Sequence, residues 1–268
     1  MAAFAVVASP AAARERLRVM SFNVRYPSSD DGANRWEQRR DIMVRAIRRA
    51  APDVIGTQEL FRIQGDYLVK ALPDYAWFGR DRRGGHGDEH MGILYRRDRL
   101  TLLRSGDFWL SDTPDVVGSI SWGHPLPRMV SWGEFRTRGG ARFFLFDTHL
   151  PYRDEDESAR EKGAGLIAAK IGEIAADAPV MLTGDFNTVP SSGTHAILAE
   201  RLHDAREAAP RVSGPAETFH AFTGKADRRI DWVFVRGMGV ERYATLTDAR
   251  GGRYPSDHFP VVASLALP

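Results

Sequence analysis

Cysteine is absent from the 268 residues. That excludes disulfides, thiolate metal sites and a cysteine nucleophile together, and it is compatible with an oxidising compartment. Lysine is scarce: Lys70, Lys162, Lys170 and Lys225 stand alone among 37 basic residues, the rest being arginine. Basic and acidic residues nearly cancel, 37 against 35, so no nucleic-acid-binding stripe shows in the composition. No apolar run is long enough to cross a bilayer, and no integral membrane segment is expected. The glycine-rich fingerprints GxGxxG and Walker A are missing, and no serine sits in a nucleophile elbow. No Pro/Ser/Gly linker and no internal repeat divides the chain. A hydrophobic content of 43% with 27% charged residues is ordinary for a soluble globular protein, long enough for one large domain.

What is present begins with AAFAVVASPAAA (2–13), short, apolar and rich in small residues. It is similar to the apolar region and cleavage site of a secretory signal, without the basic segment that usually precedes them. Residues 1–16 are therefore expected to be a leader, and the protein to be exported to the periplasm or secreted, with a cytoplasmic location left open. Residues 17–268 are expected to form one domain, acting as a monomer.

Within that span, 17–26 is strand-like. In 36–53, Met43, Ala46, Ile47 and Ala50 share one helical face, and Pro52 stops the helix. Residues 54–60 form a second strand and 64–74 a second helix. Residues 75–80, 91–96 and 100–110 are expected as strands, and 128–150 as a hairpin turning at Gly139 and Gly140. The 158–176 helix carries Ala164, Ile167, Ile171 and Ile174 as its apolar stripe, with Ser158 as its N-cap. A strand at 180–186, a short helix at 195–202 and three closing strands complete the chain. Strands both adjacent and separated by helices argue for mixed sheets covered by helices, an α/β protein. Two polar loops, 81–90 and 111–128, are long enough to be functional candidates.

The polar residues fall at a consistent place. Asn23 closes the first strand and Glu59 the second; Asp147 and His149 close FFLFDTHL; Asp185 and Asn187 close VMLTGDFN. Asp231 opens RIDWVFV, and Asp257 and His258 precede the last strand. Turn chemistry accounts for one or two such placements, but not for acids, amides and imidazoles at strand end after strand end. If those ends lie side by side, the groups converge at one edge of the sheets. An oxygen-rich set with two imidazoles suits a hard cation such as Mg²⁺, Mn²⁺ or Ca²⁺ rather than zinc, Mg²⁺ or Mn²⁺ being the expected cofactor, and water attack on phosphate esters.

The ordered set SFN, QE, THL, GDFN, RIDWVFV and SDH, covering about 17–267, resembles the endonuclease/exonuclease/phosphatase superfamily, the deoxyribonuclease-I-like group. FWLSDTP, SWGHPLPRMVSW and GTQEL resemble its compact bacterial metal-dependent hydrolase branch. The resemblance implies a four-layer α/β sandwich, two mixed β-sheets face to face with helices outside. It implies Glu59 as principal metal ligand, with Asn23 supporting it or touching metal and phosphate, and Asp257 as a second metal-side carboxylate. Asp185 would orient or activate the attacking water, Asn187 would hold a phosphoryl oxygen, and His149 would donate to the transition state. His258, paired with Asp231, would act as base or as a phosphate-binding imidazole. Asp147 is either a neighbour of the site or a structural acid.

Substrate contacts are sought at Arg80, Arg82 and Arg83 in a basic loop that would otherwise be merely solvated. Arg160 is expected to point inward at an acid and is counted with them as a substrate contact. Trp122 is taken for the substrate rim with Trp109 and Trp132, although aromatics in strands are more often core. The expected substrate is a phosphate ester of a small molecule, a lipid headgroup or a nucleic acid. The expected activity is that of a metal-dependent phosphodiesterase or phosphatase, against a nonspecific nuclease of the same superfamily or a catalytically dead phosphate-binding module.

Overall fold

The computed structural model describes residues 15–268. The expected leader therefore lies outside the described residues except at its end, where Arg16 already opens a strand. One sheet contains β1 (Arg16–Asn23), β2 (Val54–Leu60), β3 (Tyr75–Phe78), β4 (His90–Arg96), β10 (Val212–Ser213), β12 (Gly239–Thr245) and β13 (Val261–Ala266). The other contains β5 (Leu100–Trp109), β6 (Met129–Thr137), β7 (Arg142–His149), β8 (Val180–Asp185), β9 (His203–Asp204) and β11 (Asp231–Arg236). Their strand orders are β10-β12-β13-β1-β2-β4-β3 and β5-β6-β7-β8-β11-β9. Both sheets are mixed: β1 and β2 run parallel, as do β7 and β8, while their flanking neighbours run antiparallel.

Strand alternation divides the side chains between three cores. Leu17, Val19, Phe143, Leu145, Met181, Val233, Val235 and Val261 fill the space between the sheets. Their neighbours Met20 and Phe22 turn outward against Met43 and Ile47 of α1 (Trp36–Ala50) and Leu68 of α2 (Arg62–Ala71). On the far side, Phe144, Phe146, Leu182 and Phe234 pack under Ala164, Ile167 and Ile171 of α3 (Glu157–Ala175) and Leu198 of α4 (Gly193–Ala199). A one-turn α5 (Ala205–Ala208) follows β9. The result is a four-layer α/β sandwich. Among the described residues no helix is long and apolar enough to cross a membrane.

α1 ends two residues before Pro52, with Ala51 in the left-handed region at φ 44°. The β6–β7 hairpin turns through Gly140, whose φ of 96° suits glycine. Ser158 does not cap α3. A short 3-10 turn over Asp154–Asp156 runs straight into the helix, so Asp156 takes the cap position, and its carboxylate is held by Arg153 Nε at 2.9 Å. The glycine-rich loop 81–89 is well ordered by one acid. Asp81 Oδ1 accepts from the backbone of Arg83 and Gly85, and Oδ2 from Gly87 and Asp88, at 2.7–2.9 Å.

Candidate active site

The row of inward-facing side chains on each central strand grades from apolar to polar towards one edge of the sandwich. On β1 it runs Leu17, Val19, Ser21, Asn23; on β7 Phe143, Leu145, Asp147, His149; on β8 Met181, Thr183, Asp185; and along antiparallel β11 Val235, Val233, Asp231. Pairing puts these ends side by side: His149 is opposite Asp185, and Asp185 is opposite Asp231. Asn23 closes the other sheet above them, and its Nδ2 donates across the gap to Asp185 Oδ2 at 2.9 Å.

Below this edge lies a buried polar layer. Asp147 Oδ1 accepts from Gln58 Nε2 and Thr183 Oγ1, both at 2.7 Å. Burial pushes the Asp147 pKa up to about 8 against those hydrogen bonds, so it is protonated at neutral pH. Asp147 is thus an acid of the interior that ties the sheets together.

Glu59 reaches the edge by a local distortion. The β2–β4 register shifts between Thr57 and Leu60, and Glu59 adopts φ 59°. Such a bulge re-aims a side chain, and positive φ in a non-glycine residue is strain of the kind stored at functional sites. Its Oε1 accepts from Asn23 Nδ2 and its Oε2 from the Tyr26 amide, both at 3.0 Å. Arg25 and Asn187 also have positive φ, 53° and 51°. Buried Arg39 of α1 donates to the carbonyls of Val24 (2.6 Å), Arg25 (2.6 Å) and Pro255 (3.0 Å). It thereby locks the loop after Asn23 to the loop before His258, and burial lowers its pKa to about 10.

Asp185 is the hub. The Asn187 amide donates to its Oδ1 at 3.0 Å, while His149 Nε2 and His258 Nε2 stand 3.5 and 3.7 Å from Oδ2. The two imidazoles are driven to opposite charge states. Burial, with Arg128, His258 and Arg82, holds His149 well below its usual range and therefore neutral. Burial also works against a charge on His258, but Asp231 and Asp185 outweigh it and raise its pKa to about 10. Asp231 Oδ2 accepts from His258 Nδ1 at 2.9 Å. Asp185 itself is raised to about 7, first by burial and then by Asp231 and Glu59 against the pull of His258. An imidazole charged up to about pH 10 donates rather than abstracts, so of the two roles expected of His258 the geometry suits the phosphate-binding one.

A cleft of about 650 Å³ opens on this edge. Glu59, His149, Asp185, Asn187, Asp257 and His258 line it, and Arg82 reaches it beside Glu89. Asp257 stands on the wall, Oδ2 3.9 Å from Arg25 Nε. Asn23 takes the supporting one of the two roles expected of it, its amide nitrogen bracing Glu59 and Asp185 while its oxygen accepts from the Arg25 backbone at 2.9 Å. Four expected substrate contacts need correction. Arg80 lies outside the cleft, both guanidinium contacts at 2.7 Å spent on Asp107. Arg160 does point inward, to Glu157 at 2.8 Å, but its other donors hold the carbonyls of Pro151 and Arg153, so it fastens the loop after β7 and meets no substrate. Trp122 is outside as well, donating to Asp112 at 2.8 Å. Arg83 is likewise taken by Asp88.

Sequence reasoning missed Arg25, Tyr26, Phe61, Glu89, Arg128, Tyr152, Phe219 and Arg228, which also line the cleft. A signal existed for two of them: Glu89 and Arg128 sit at the ends of the two long loops that stood out. Burial, with Glu59 beside it, raises the Glu89 pKa to about 7 despite Arg82.

A divalent cation fits this arrangement. One ligand atom from each of Glu59, His149 and Asp185 lies within 4.8 Å of the others. Nδ1 of His149 is buried without a hydrogen-bond partner. Two carboxyls raised to about 7 beside Glu59 mark a surplus of negative charge that a hard cation would relieve. Glu59 is the oxygen donor placed to hold it, with Asp185 facing the same space.

Residues 20–258 match the model of the endonuclease/exonuclease/phosphatase family. The chain belongs to that family. An endonuclease/exonuclease/phosphatase family protein from Bacteroides thetaiotaomicron superimposes with a TM-score of 0.90 at 34% identity, covering 95% of this chain and 99% of that one. A mannosyl-6-phosphatase of the same organism superimposes with a TM-score of 0.87 at 35% identity, covering 94% of this chain and all of that one. Danio rerio TDP2, complexed with a single-strand DNA product, shares the fold at a TM-score of 0.71 and 20% identity, over 93% and 98% of the two chains. Family membership carries the sandwich and its strand-end site; the substrates of these relatives are their own.

Proposed function

We propose that this member of the family is a divalent-metal-dependent hydrolase of phosphoric esters that directs water onto phosphorus. The observation that carries the reading is the Asp185 carboxylate, set beside Glu59 between one neutral and one charged imidazole. A buried carboxylate flanked by these two imidazoles can hold a water and take its proton. His258 faces the same space as a fixed cation and His149 as a neutral ring, so both can meet the oxygens on which negative charge develops. Asn187 spends one amide hydrogen on the Leu150 carbonyl at 3.0 Å and has a second for a phosphoryl oxygen. The cation, when bound, neutralises phosphoryl charge and acidifies a ligated water. In the reaction the water oxygen bonds to phosphorus, its proton passes to Asp185, and the bond to the ester oxygen breaks, that oxygen leaving with the electron pair and taking a proton from solvent.

The test is turnover of p-nitrophenyl phosphate and bis-p-nitrophenyl phosphate with Mg²⁺ or Mn²⁺, its loss in EDTA, and its loss in Asp185→Asn. A protein that cleaves neither of these, nor nucleic acids, phospholipids or phosphosugars, with any divalent metal would sink the proposal and favour a binding module. A nuclease is the second reading. Tyr26, Phe61, Tyr152 and Phe219 on the cleft wall offer ring faces on which bases could stack, beside Arg25 and Arg228. Plasmid nicking against release of inorganic phosphate from small monoesters separates the two.

A further inference from the structure

Arg128 ends the loop before β6, where its carbonyl accepts from the Leu110 amide at 2.7 Å. It is 3% exposed, yet it lines the inner wall of the cleft. Its Nη1 is buried without a hydrogen-bond partner. Glu89, the acid acting on it most strongly, has already given Oε2 to Arg82 Nη1 at 2.9 Å. Arg39 and Arg160, buried as deeply, contrast with it, while Arg82 keeps an unpartnered Nε but gives its terminal nitrogens to Asp88 and Glu89. Arg39 spends its donors on five carbonyls, and Arg160 on three carbonyls and Glu157. Burying a guanidinium with a donor unmet is costly, and a fold retains such a group where a ligand completes it.

The missing partner is an anion, and its position narrows the class. A guanidinium offers adjacent donors in a flat fork, matched to two oxygens of one phosphate. A phosphoryl group held at His149, Asn187 and His258 turns some oxygens to them. An unesterified phosphate has one more charged oxygen, where a diester carries its second ester group. A second ester group set there would place carbon against the buried, unpartnered Nη1 of Arg128 and leave that donor unmet.

We propose that Arg128 is the receptor for the unesterified oxygens of the substrate phosphate, and that it makes the protein selective for phosphomonoesters over diesters. This rests on the hydrolase reading above and deepens it.

The experiment compares wild type with Arg128→Gln and Arg128→Lys. Thermal melts with and without inorganic phosphate are set beside kcat/KM for p-nitrophenyl phosphate and bis-p-nitrophenyl phosphate in Mn²⁺. Wild type should prefer the monoester and be stabilised by phosphate. In Arg128→Gln the monoester-to-diester ratio should fall by about 30-fold or more, the scale of a lost charge-assisted hydrogen bond, and the phosphate shift should vanish. Arg128→Lys keeps the charge without the fork and should recover part of both. An unchanged ratio, or a phosphate shift in Arg128→Gln equal to that of wild type, overturns the proposal. If Arg128→Gln gives no cooperative melt, the lysine variant decides: a ratio lowered about tenfold supports the fork, an unchanged one overturns it. A wild type that cleaves neither ester passes the hydrolase reading to the wider substrate panel, while the phosphate melts still decide whether Arg128 is an anion receptor.

Discussion

Asn23 and Asp185, 162 residues apart and in different sheets, are joined by a 2.9 Å hydrogen bond that closes the sandwich directly at the site. The same Asn23 amide holds Glu59 at 3.0 Å, so the spacing of two carboxylates depends on the spacing of the two sheets. Anything that pries the sheets apart should therefore damage chemistry as well as stability.

Gly56→Ala tests that dependence. A Cβ built on Gly56 would lie 2.0 Å from Thr183 Oγ1 and 2.3 Å from Asp147 Oδ1, both buried in the polar layer under the site. Neither atom can retreat without losing its hydrogen bond to the other. Overpacking of this kind costs on the order of 1–3 kcal/mol. Gly56→Ala should lower the urea midpoint and reduce kcat, although it touches no cleft residue. Full activity in a destabilised variant would show that the site tolerates sheet movement.

Glu59→Gln removes a charge from the acid best placed to hold a hard cation, and sets an NH₂ against either the Asn23 amide or the Tyr26 amide, both donors. Metal affinity should fall by more than the roughly 10–100-fold that loss of an outer-shell partner costs. Activity should return in part at high Mg²⁺ or Mn²⁺, and the metal-induced rise in melting temperature should need correspondingly more metal. Identical metal titrations for variant and wild type would make Glu59 a purely structural residue.

The convergence of Asn23, His149, Asp185 and Asp231 was legible because each lies in an alternating strand pattern. Two-residue periodicity states which face a side chain takes, and adjacent strands then bring equal registers together. Glu59 was legible by position, but not the bulge and positive φ that aim it. Glu89 and Arg128 lie in loops with no period, so no rule of alternation locates them. Arg80, Arg160 and Trp122 were misplaced for the opposite reason: each has a partner in the fold, Asp107, the loop carbonyls and Asp112, that no local pattern announces. The Ser158 cap failed because a preceding 3-10 turn moved the entry of the helix.

Asp147→Asn separates the interior acid from the site acids by pH. The Asp147 pKa is raised from 3.8 to about 8, so the folded state holds its proton where the unfolded chain has released it. Its contribution to stability is fully present below pH 4 and is lost as pH rises through about 8. The asparagine variant lacks this loss. Across pH 4–8 its stability relative to wild type should rise steadily, read from urea midpoints. A constant difference over that range would mean Asp147 titrates normally.

Asp231→Asn tests the pair that fixes the charge of His258. Asp231 accepts from Nδ1 at 2.9 Å and is the largest influence raising that ring, in opposition to its burial. Removing the charge should lower the His258 pKa from about 10, which a ring NMR titration reads directly. The sign for stability follows: the pair's contribution is fully present below pH 6.5 and is lost as pH rises through about 10, so wild type should lose its advantage over Asp231→Asn across that window. For catalysis, if His258 works as a cation, activity declines as pH rises through its pKa. The alkaline limb of kcat/KM should therefore move to lower pH in Asp231→Asn, with much of the rate retained near pH 6. His258→Ala should cost more than that variant at its best pH, and the double variant little more than His258→Ala alone, as expected of residues acting as a unit. Additive losses, or an alkaline limb that stays in place, would show that the charge on His258 is not what Asp231 supplies to the reaction.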